Sequence, residues 1–140
     1  MKTSVFKMAN PVHDTIKLLV VRRLSGDDQT LEALKLNLIY RMSLSEIEIK
    51  TGIPRSLIRG FRQRLKDRIG NELFLRELCR IAMPHIEKIN PIFTYEGKIP
   101  RCMICGKEIV TSFPQDHILK KHKDLVEKTV MSVVEKIRKG

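Results

Sequence analysis

The sequence of 140 residues has few aromatic side chains: it contains no tryptophan, two tyrosines and five phenylalanines. Proteins that bind single-stranded RNA stack unpaired bases on aromatic rings, so this composition disfavours that class. The chain also lacks an apolar run of about 18 residues, the length needed to cross a bilayer. Its first residues are too short and too interrupted for a signal peptide. We therefore expect a cytoplasmic protein without a membrane span.

Cysteine is scarce as well, and an odd number of three cannot close a full set of disulfides. Two of the cysteines, Cys102 and Cys105, are separated by two residues, a spacing typical of metal sites in a reducing compartment. No serine–histidine–aspartate set, pair of catalytic carboxylates or phosphate-binding glycine loop is recognisable in the sequence. We therefore expect neither enzymatic activity nor a small-molecule substrate.

Positive charge, by contrast, is abundant. The net charge is +11, from 27 lysines and arginines against 16 aspartates and glutamates, and the pI is about 9.9. Such a charge favours polyanionic partners, nucleic acids above all. Hydrophobic residues make up 42% of the chain, which is enough for a modest core. The length fits one domain, or one domain with a small appendage.

Capping and turn residues predict that the first part of the chain is helical. The predicted helices outside the central segment cover approximately residues 10–24, 29–41 and 72–82, with Pro84 ending or kinking the last one. Asn90 and Pro91 mark a boundary. We therefore predict a helical domain over 1–90 and a second, smaller unit over 91–140.

Residues 43–66 predict two short helices joined by a tight turn. Ser43 and Glu46 have the spacing of a capping box, in which each side chain binds a backbone N–H at the helix start. Gly52 suits the turn, because glycine adopts positive φ at little cost. Pro54 suits the first position of the second helix. The predicted buried stripe of that helix is formed by Leu57, Ile58, Phe61 and Leu65.

This segment resembles the helix-turn-helix unit of DNA-binding proteins, on the basis of Ile47 before the turn and the glycine within it. Ile53, Ile58 and Phe61 after the turn complete the pattern. The resemblance implies that the second helix enters the major groove of double-stranded DNA. Together with the basic stripe, it predicts these DNA-binding residues: Arg55, Ser56, Arg59, Arg62, Gln63 and Lys66. The family prefers a small residue where this chain has Glu48, and a helical hairpin with a solvated basic face is the alternative.

Near the C-terminus, four residues follow the pattern C-x2-C-x11-H-x4-H: Cys102, Cys105, His117 and His122. Two thiolates on a turn and two imidazoles on a helix can surround zinc tetrahedrally. Residues 99–123 thus resemble a Cys–Cys–His–His zinc finger, and chance clustering is the alternative. We predict one zinc ion per chain, a hairpin of 98–102 with 107–110, and a helix that begins near Pro114.

The finger departs from the members of its family that read DNA. The positions from which those fingers contact bases hold Val110, Phe113 and Asp116, which are poor partners for base edges. Ile109 and Pro114 also replace the usual aromatic and leucine. Zinc binding is therefore a firmer expectation than base reading. The basic residues of the finger helix either contact phosphates or form a solvated face; they are Lys120, Lys121 and Lys123.

Residues 124–139 predict a continuation of the finger helix with an apolar stripe that must be covered. The chain's own helices are one cover. A second copy is the other, because Val126, Val130, Val133 and Ile137 are spaced as in a coiled-coil seam. We favour a homodimer through 124–139, since helix-turn-helix proteins often bind two half-sites.

The predicted fold class is mostly α: a helix-turn-helix domain followed by a small ββα zinc finger with an extended C-terminal helix. The expected function is sequence-specific binding of double-stranded DNA and regulation of transcription, with a nucleoid-associated location. This combination of units resembles regulators of archaea and their viruses. One alternative is an RNA- or ribosome-associated basic protein. Another is a protein-interaction adaptor that uses the finger and the C-terminal helix.

Overall fold

The computed structural model describes residues 10–139, which form seven helices and a small two-stranded antiparallel sheet. The elements in chain order are α1 (Pro11–Leu24), α2 (Asp28–Leu38), α3 (Leu44–Thr51), α4 (Arg55–Ile69), α5 (Glu72–Ile86), β1 (Phe93–Thr94), β2 (Arg101–Cys102), α6 (Pro114–Lys121) and α7 (Lys123–Lys139). The mostly helical prediction is confirmed. Within these residues, no helix has the length and apolar character that crossing a membrane requires. The signal-peptide expectation concerns mainly residues 1–9, which lie outside the described residues.

Polar side chains cap the helices where the sequence placed helix starts. The side chains of Asn10 and Asn71 accept backbone hydrogen bonds at the first turns of α1 and α5, and Asp27 does so for α2. The helix predicted to end at 82 continues to Ile86 instead. Pro84 is exposed and lies in the last turn, so it removes one hydrogen bond of the helix, to the carbonyl four residues earlier, and only two further helical residues follow it. Burial of Ile86 helps to hold that turn in place.

The sheet differs from the predicted hairpin. β2 pairs with β1, an upstream strand that the sequence analysis missed, and Phe93 lies opposite Cys102. Residues 107–110 do approach β2, but only through one bridge between Arg101 and Glu108. The backbone N–H of Ile109 donates to the carbonyl of Pro100 at 2.8 Å in the same region. Strands of two residues are too short to leave a recognisable periodicity in the sequence.

One hydrophobic core extends through most of the molecule, with α1 at its centre. Ile16, Leu19 and Val20 of α1 are fully buried, and α1 packs against α2, α4, α5, α6 and α7. The same cluster includes Phe93 and Cys102 from the sheet region. Residues on both sides of the predicted boundary at residue 90 therefore contribute to one core.

The apolar stripe of α7 lies against helices of the same chain. Val126, Val130 and Val133 are buried, α7 packs against α1 and α5, and Ile137 lies at the edge of the core. This is the packing that the sequence left open beside a homodimer. The valines that suggested a coiled-coil seam are thus covered within one chain. The homodimer remains a prediction, but the apolar stripe of α7 no longer supports it.

Candidate functional site

Four potential metal ligands converge beside the sheet. The ligand atoms of Cys102, Cys105, His117 and His122 all lie within 4.8 Å of one another. Sγ of Cys102 is 3.3 Å from Nε2 of His122, and Sγ of Cys105 is 3.4 Å from Nε2 of His117. Zn–S and Zn–N bonds of about 2.3 and 2.0–2.1 Å at a tetrahedral angle place sulfur and nitrogen roughly 3.5 Å apart. The four side chains could therefore bind one metal ion, and the arrangement is compatible with zinc.

A glycine-containing turn positions the two cysteines. Cys102 is the last residue of β2, and Cys105 lies in the turn that follows. The N–H of Gly106 donates to the carbonyl of Cys102 at 2.8 Å, and Gly106 has φ of +78°. Glycine takes this left-handed conformation without steric cost, so the turn can close and bring both sulfur atoms to one side.

A break between two helices positions the histidines. Residues five apart on an unbroken helix point about 140° away from each other, because each residue turns the helix by about 100°. His122 has φ of −127° and ψ of 41°, so α6 ends there and α7 begins at Lys123. The predicted continuous helix from the finger through 124–139 is therefore wrong. The break allows both imidazoles to reach the cysteines.

The surroundings of His117 favour the neutral imidazole. Burial, together with the nearby positive charges of Lys107 and Lys121 and the coupling to His122, lowers the pKa of His117. A neutral ring nitrogen is the form that binds a metal. The ring of Phe93 packs edge-on against His117, with centroids 5.8 Å apart. Phe93 is the neighbour of the site that sequence reasoning missed, since it lies 24 residues upstream on an unpredicted strand.

A metal ion held by all four of these side chains would have the coordination of a structural site rather than a catalytic one. Four protein ligands complete a tetrahedron and leave no coordination position for water or substrate. Cys102 and His117 are buried, whereas Cys105 is exposed and His122 is half-buried. Ile109 and Ile118 are also buried next to the site. The ligands therefore form part of the same packed region as the core.

The second candidate site is the surface formed by α3, the following turn and α4. The capping box of Ser43 and Glu46 is present in full. Gly52 has φ of +80° and ends α3, and Ile47 is fully buried. Pro54 lies just before α4 rather than in its first turn. These features join two helices of 8 and 15 residues by a short turn, as the sequence predicted.

The apolar stripe of α4 needs one correction. Ile58, Phe61 and Leu65 are buried, as predicted. Leu57, in contrast, is 45% exposed, because it lies about 100° from Ile58 around the helix. Ile69 extends the buried stripe in its place.

The predicted DNA-binding residues of α4 are exposed except for Arg62, which is half-buried. Some of them are engaged within the chain: Arg62 binds Glu72 at 2.7 Å, and Gln63 donates to Asp67 at 2.8 Å. Within residues 10–139, Ser56 and Arg59 make no side-chain hydrogen bond or ion pair. These two side chains are therefore available to a ligand without the loss of an internal contact.

Glu48, the departure from the helix-turn-helix pattern, takes part in an ion pair between the two helices. Its Oε1 lies 2.7 Å from Nε of Arg55, and this hydrogen bond lowers the pKa of the Glu48 carboxyl. Glu48 is half-buried and not fully enclosed between the two helices. The carboxylate therefore links α3 to the start of α4, although it also competes with any external partner for Arg55.

The three lysines of the finger region are exposed, and none of them forms an ion pair within residues 10–139. Lys120 and Lys121 line a cleft with Lys107 and His117. They could contact phosphates from there. Lys123 begins α7 and follows the ligand His122 directly.

Comparison of the chain with family models, curated proteins and solved structures gives no significant match.

Proposed function

We propose that this protein binds double-stranded DNA through α3 and α4, which act as a helix-turn-helix, and that it regulates transcription. The observation that carries the proposal is the outer face of α4. This face presents Ser56, Arg59 and Gln63, side chains that can donate hydrogen bonds to base edges. It lies opposite the buried residues Ile58 and Leu65, so α4 can enter a groove without giving up its core contacts.

Charge supports the same function. Six basic residues lie between Arg55 and Arg68, within a chain of net charge +11. Positive side chains beside a groove-reading helix neutralise backbone phosphates and supply most of the sequence-independent affinity. A helix of this kind is about 10–12 Å across, which matches the width of the major groove.

In this proposal the four-ligand cluster is a zinc finger of ββα type with a structural role. Bound zinc would hold the loop of Cys105 to the start and end of α6. Because α6 packs against α1, the ion would also fix the position of this helix relative to the helical part. The residues at the finger's base-reading positions are Val110, Phe113 and Asp116, so α4 rather than the finger reads the sequence in this account.

Selection of binding sites from a pool of random duplexes tests the proposal directly. The full-length zinc-loaded protein is expected to enrich one sequence motif. This is the result expected if α4 contacts base edges. The control is a variant in which Arg59 and Gln63 are both replaced by alanine. A pool that stays random with the unchanged protein would reject sequence-specific binding.

A second candidate function follows from the exposed apolar residues of the finger. Val110 is 73% exposed and Phe113 is 71% exposed, and Met103 and Ile104 are also exposed. Exposed apolar side chains on a basic protein suit a contact with another protein if they form one patch. In that case the finger serves as an adaptor while α4 binds DNA. Replacing Val110 and Phe113 by serine should then abolish capture of the partner and leave DNA affinity unchanged.

A further inference from the structure

α4 carries basic side chains on both of its flanks, and their charges are compensated differently. On the first flank, Glu72 lies 2.7 Å from Arg62 and 4.0 Å from Lys66. On the second flank, Arg64 and Arg68 have no carboxylate within 4.0 Å in the described part of the chain. Positive charge therefore remains uncompensated on the second flank.

The second flank lines a cleft of about 460 Å³ between α1, α4 and α6. Arg22 of α1 enters the same cleft and is held by Asp27 at 2.7 Å. The guanidinium carbons of Arg22 and Arg64 lie 4.8 and 5.5 Å from the centre of the Phe61 ring. One aromatic ring thus contacts two positive groups, and Arg68 lines the same cleft.

Such crowding has an electrostatic cost that an anion would relieve. Partial loss of solvation around the Arg64 guanidinium, and then the charges of Arg22 and Arg68, lower the pKa of Arg64; an anion bound in the cleft would act in the opposite direction. A guanidinium offers paired N–H donors that match two oxygens of a phosphate. Lys17 and Gln115 also line the cleft and carry further N–H donors.

We propose that the cleft formed by Arg22, Arg64 and Arg68 binds a phosphate of the nucleic-acid backbone. This inference rests on the proposed function, because a helix in the major groove turns its two flanks toward the phosphates of the two strands. Asp14 and Asp116 also line the cleft, so the phosphate binds on the arginine side. The neighbouring helix α6 then lies alongside the same DNA strand.

The test compares two double variants that lose the same charge. Arg64→Gln with Arg68→Gln removes two positive groups of the cleft. Lys136→Gln with Lys139→Gln removes two exposed positive groups near the end of α7 and serves as the control. All four positions are exposed, so both variants should fold, and circular dichroism checks this. Affinity for a selected duplex and a random duplex is titrated at several salt concentrations.

The cleft variant should weaken binding to both duplexes by the same factor, because phosphates carry no sequence information. Its plot of log affinity against log salt should be less steep by about one, since the loss of one phosphate contact changes the slope by about 0.9. The control variant should keep the steeper slope of the unchanged protein. A cleft variant that matches the control in slope and affinity would overturn the proposal, while DNA binding itself would stand.

A second measurement separates this proposal from the proposed function. If the unchanged protein binds no duplex, the cleft is tested with inorganic pyrophosphate by NMR of the arginine Nε–Hε groups. Chemical-shift changes at Arg64 and Arg68 that exceed those at Arg55 would support a phosphate site even if the protein does not bind DNA. Absence of such shifts overturns the cleft proposal as well.

Discussion

Cys102 has two roles at the scale of single residues, because it is both a potential ligand and a fully buried member of the core. Its sulfur lies 3.3 Å from Nε2 of His122. The spacing of the four ligands was enough to predict this cluster. The sequence could not predict that Phe93 packs against His117, because a contact across 24 residues has no local pattern.

Cys102→Ala should abolish stoichiometric zinc binding, since three ligands bind the ion far more weakly than four. Native mass spectrometry should show one zinc ion per chain for the unchanged protein and none for the variant. Cys79→Ala is the matched control and should retain one ion, because Cys79 lies in the core away from the cluster. Zinc retained by Cys102→Ala would contradict the assignment of ligands.

Cys79 should be chemically inert in the folded protein. Burial raises the pKa of its thiol to about 12, so at pH 8 only about one molecule in 10⁴ carries the reactive thiolate even before access is considered. After removal of metal by a chelator, a thiol reagent should titrate two cysteines quickly. The third should react only in denaturant. Three fast thiols would contradict the burial of Cys79.

At the scale of elements, caps and turns were predictable because their signals are local. Ser43, Glu46 and Gly52 act within a few residues of each other, and the structure has them as expected. The break at His122 was not predictable from such rules, because the residues around it are compatible with a helix. The break is instead what allows the imidazoles of His117 and His122, five residues apart, to face the same two cysteines.

α7 illustrates a second limit of prediction from the sequence alone. Three valines and Ile137 at 4-3-4 spacing indicate that a helix face is buried, but the same spacing suits packing on a partner chain or on the chain's own helices. The packing of α7 on α1 decides which residues cover the face in this chain. His13 adds a polar contact between the two helices, since its Nε2 lies 3.0 Å from Oε1 of Glu127.

Val130→Ala should destabilise the monomeric fold by roughly 2 kcal/mol, because it removes two buried methyl groups and leaves a small cavity. Met131→Ala, which changes an exposed neighbour, is the control and should have little effect. Thermal unfolding should give the same loss at every protein concentration. A loss that varies with concentration would indicate that α7 also contributes to a homodimer.

At the scale of the whole molecule, one core connects the helical part to the metal cluster. The sequence predicted two units, and it contains no signal for how they pack against each other. Hydrogen bonds across the predicted boundary reinforce the shared packing: Ile92 donates its N–H to the carbonyl of Leu24 at 2.8 Å. The hydroxyl of Tyr95 donates to the carbonyl of Ser25 at 2.5 Å.

Duplex affinity should depend steeply on salt. If about six phosphates are neutralised, affinity should fall by roughly a factor of a thousand between about 50 and 200 mM salt, because bound counterions are released on association. Fluorescence anisotropy with a labelled duplex measures this slope. A structured RNA of equal length is the comparison. A flat response with both would contradict a backbone-binding surface and favour the adaptor function.

The most direct test of the central claim is the effect of Arg59→Ala on two duplexes, the selected one and a random one, at a single salt concentration. Arginine paired with guanine discriminates against a wrong base by roughly 1–3 kcal/mol, so the variant should lose about 5- to 150-fold in affinity for the selected duplex and much less for the random one. Lys123→Ala, as the control, should weaken both equally or not at all. Equal losses on both duplexes for Arg59→Ala would contradict sequence reading by α4 and identify a non-specific nucleic-acid binder.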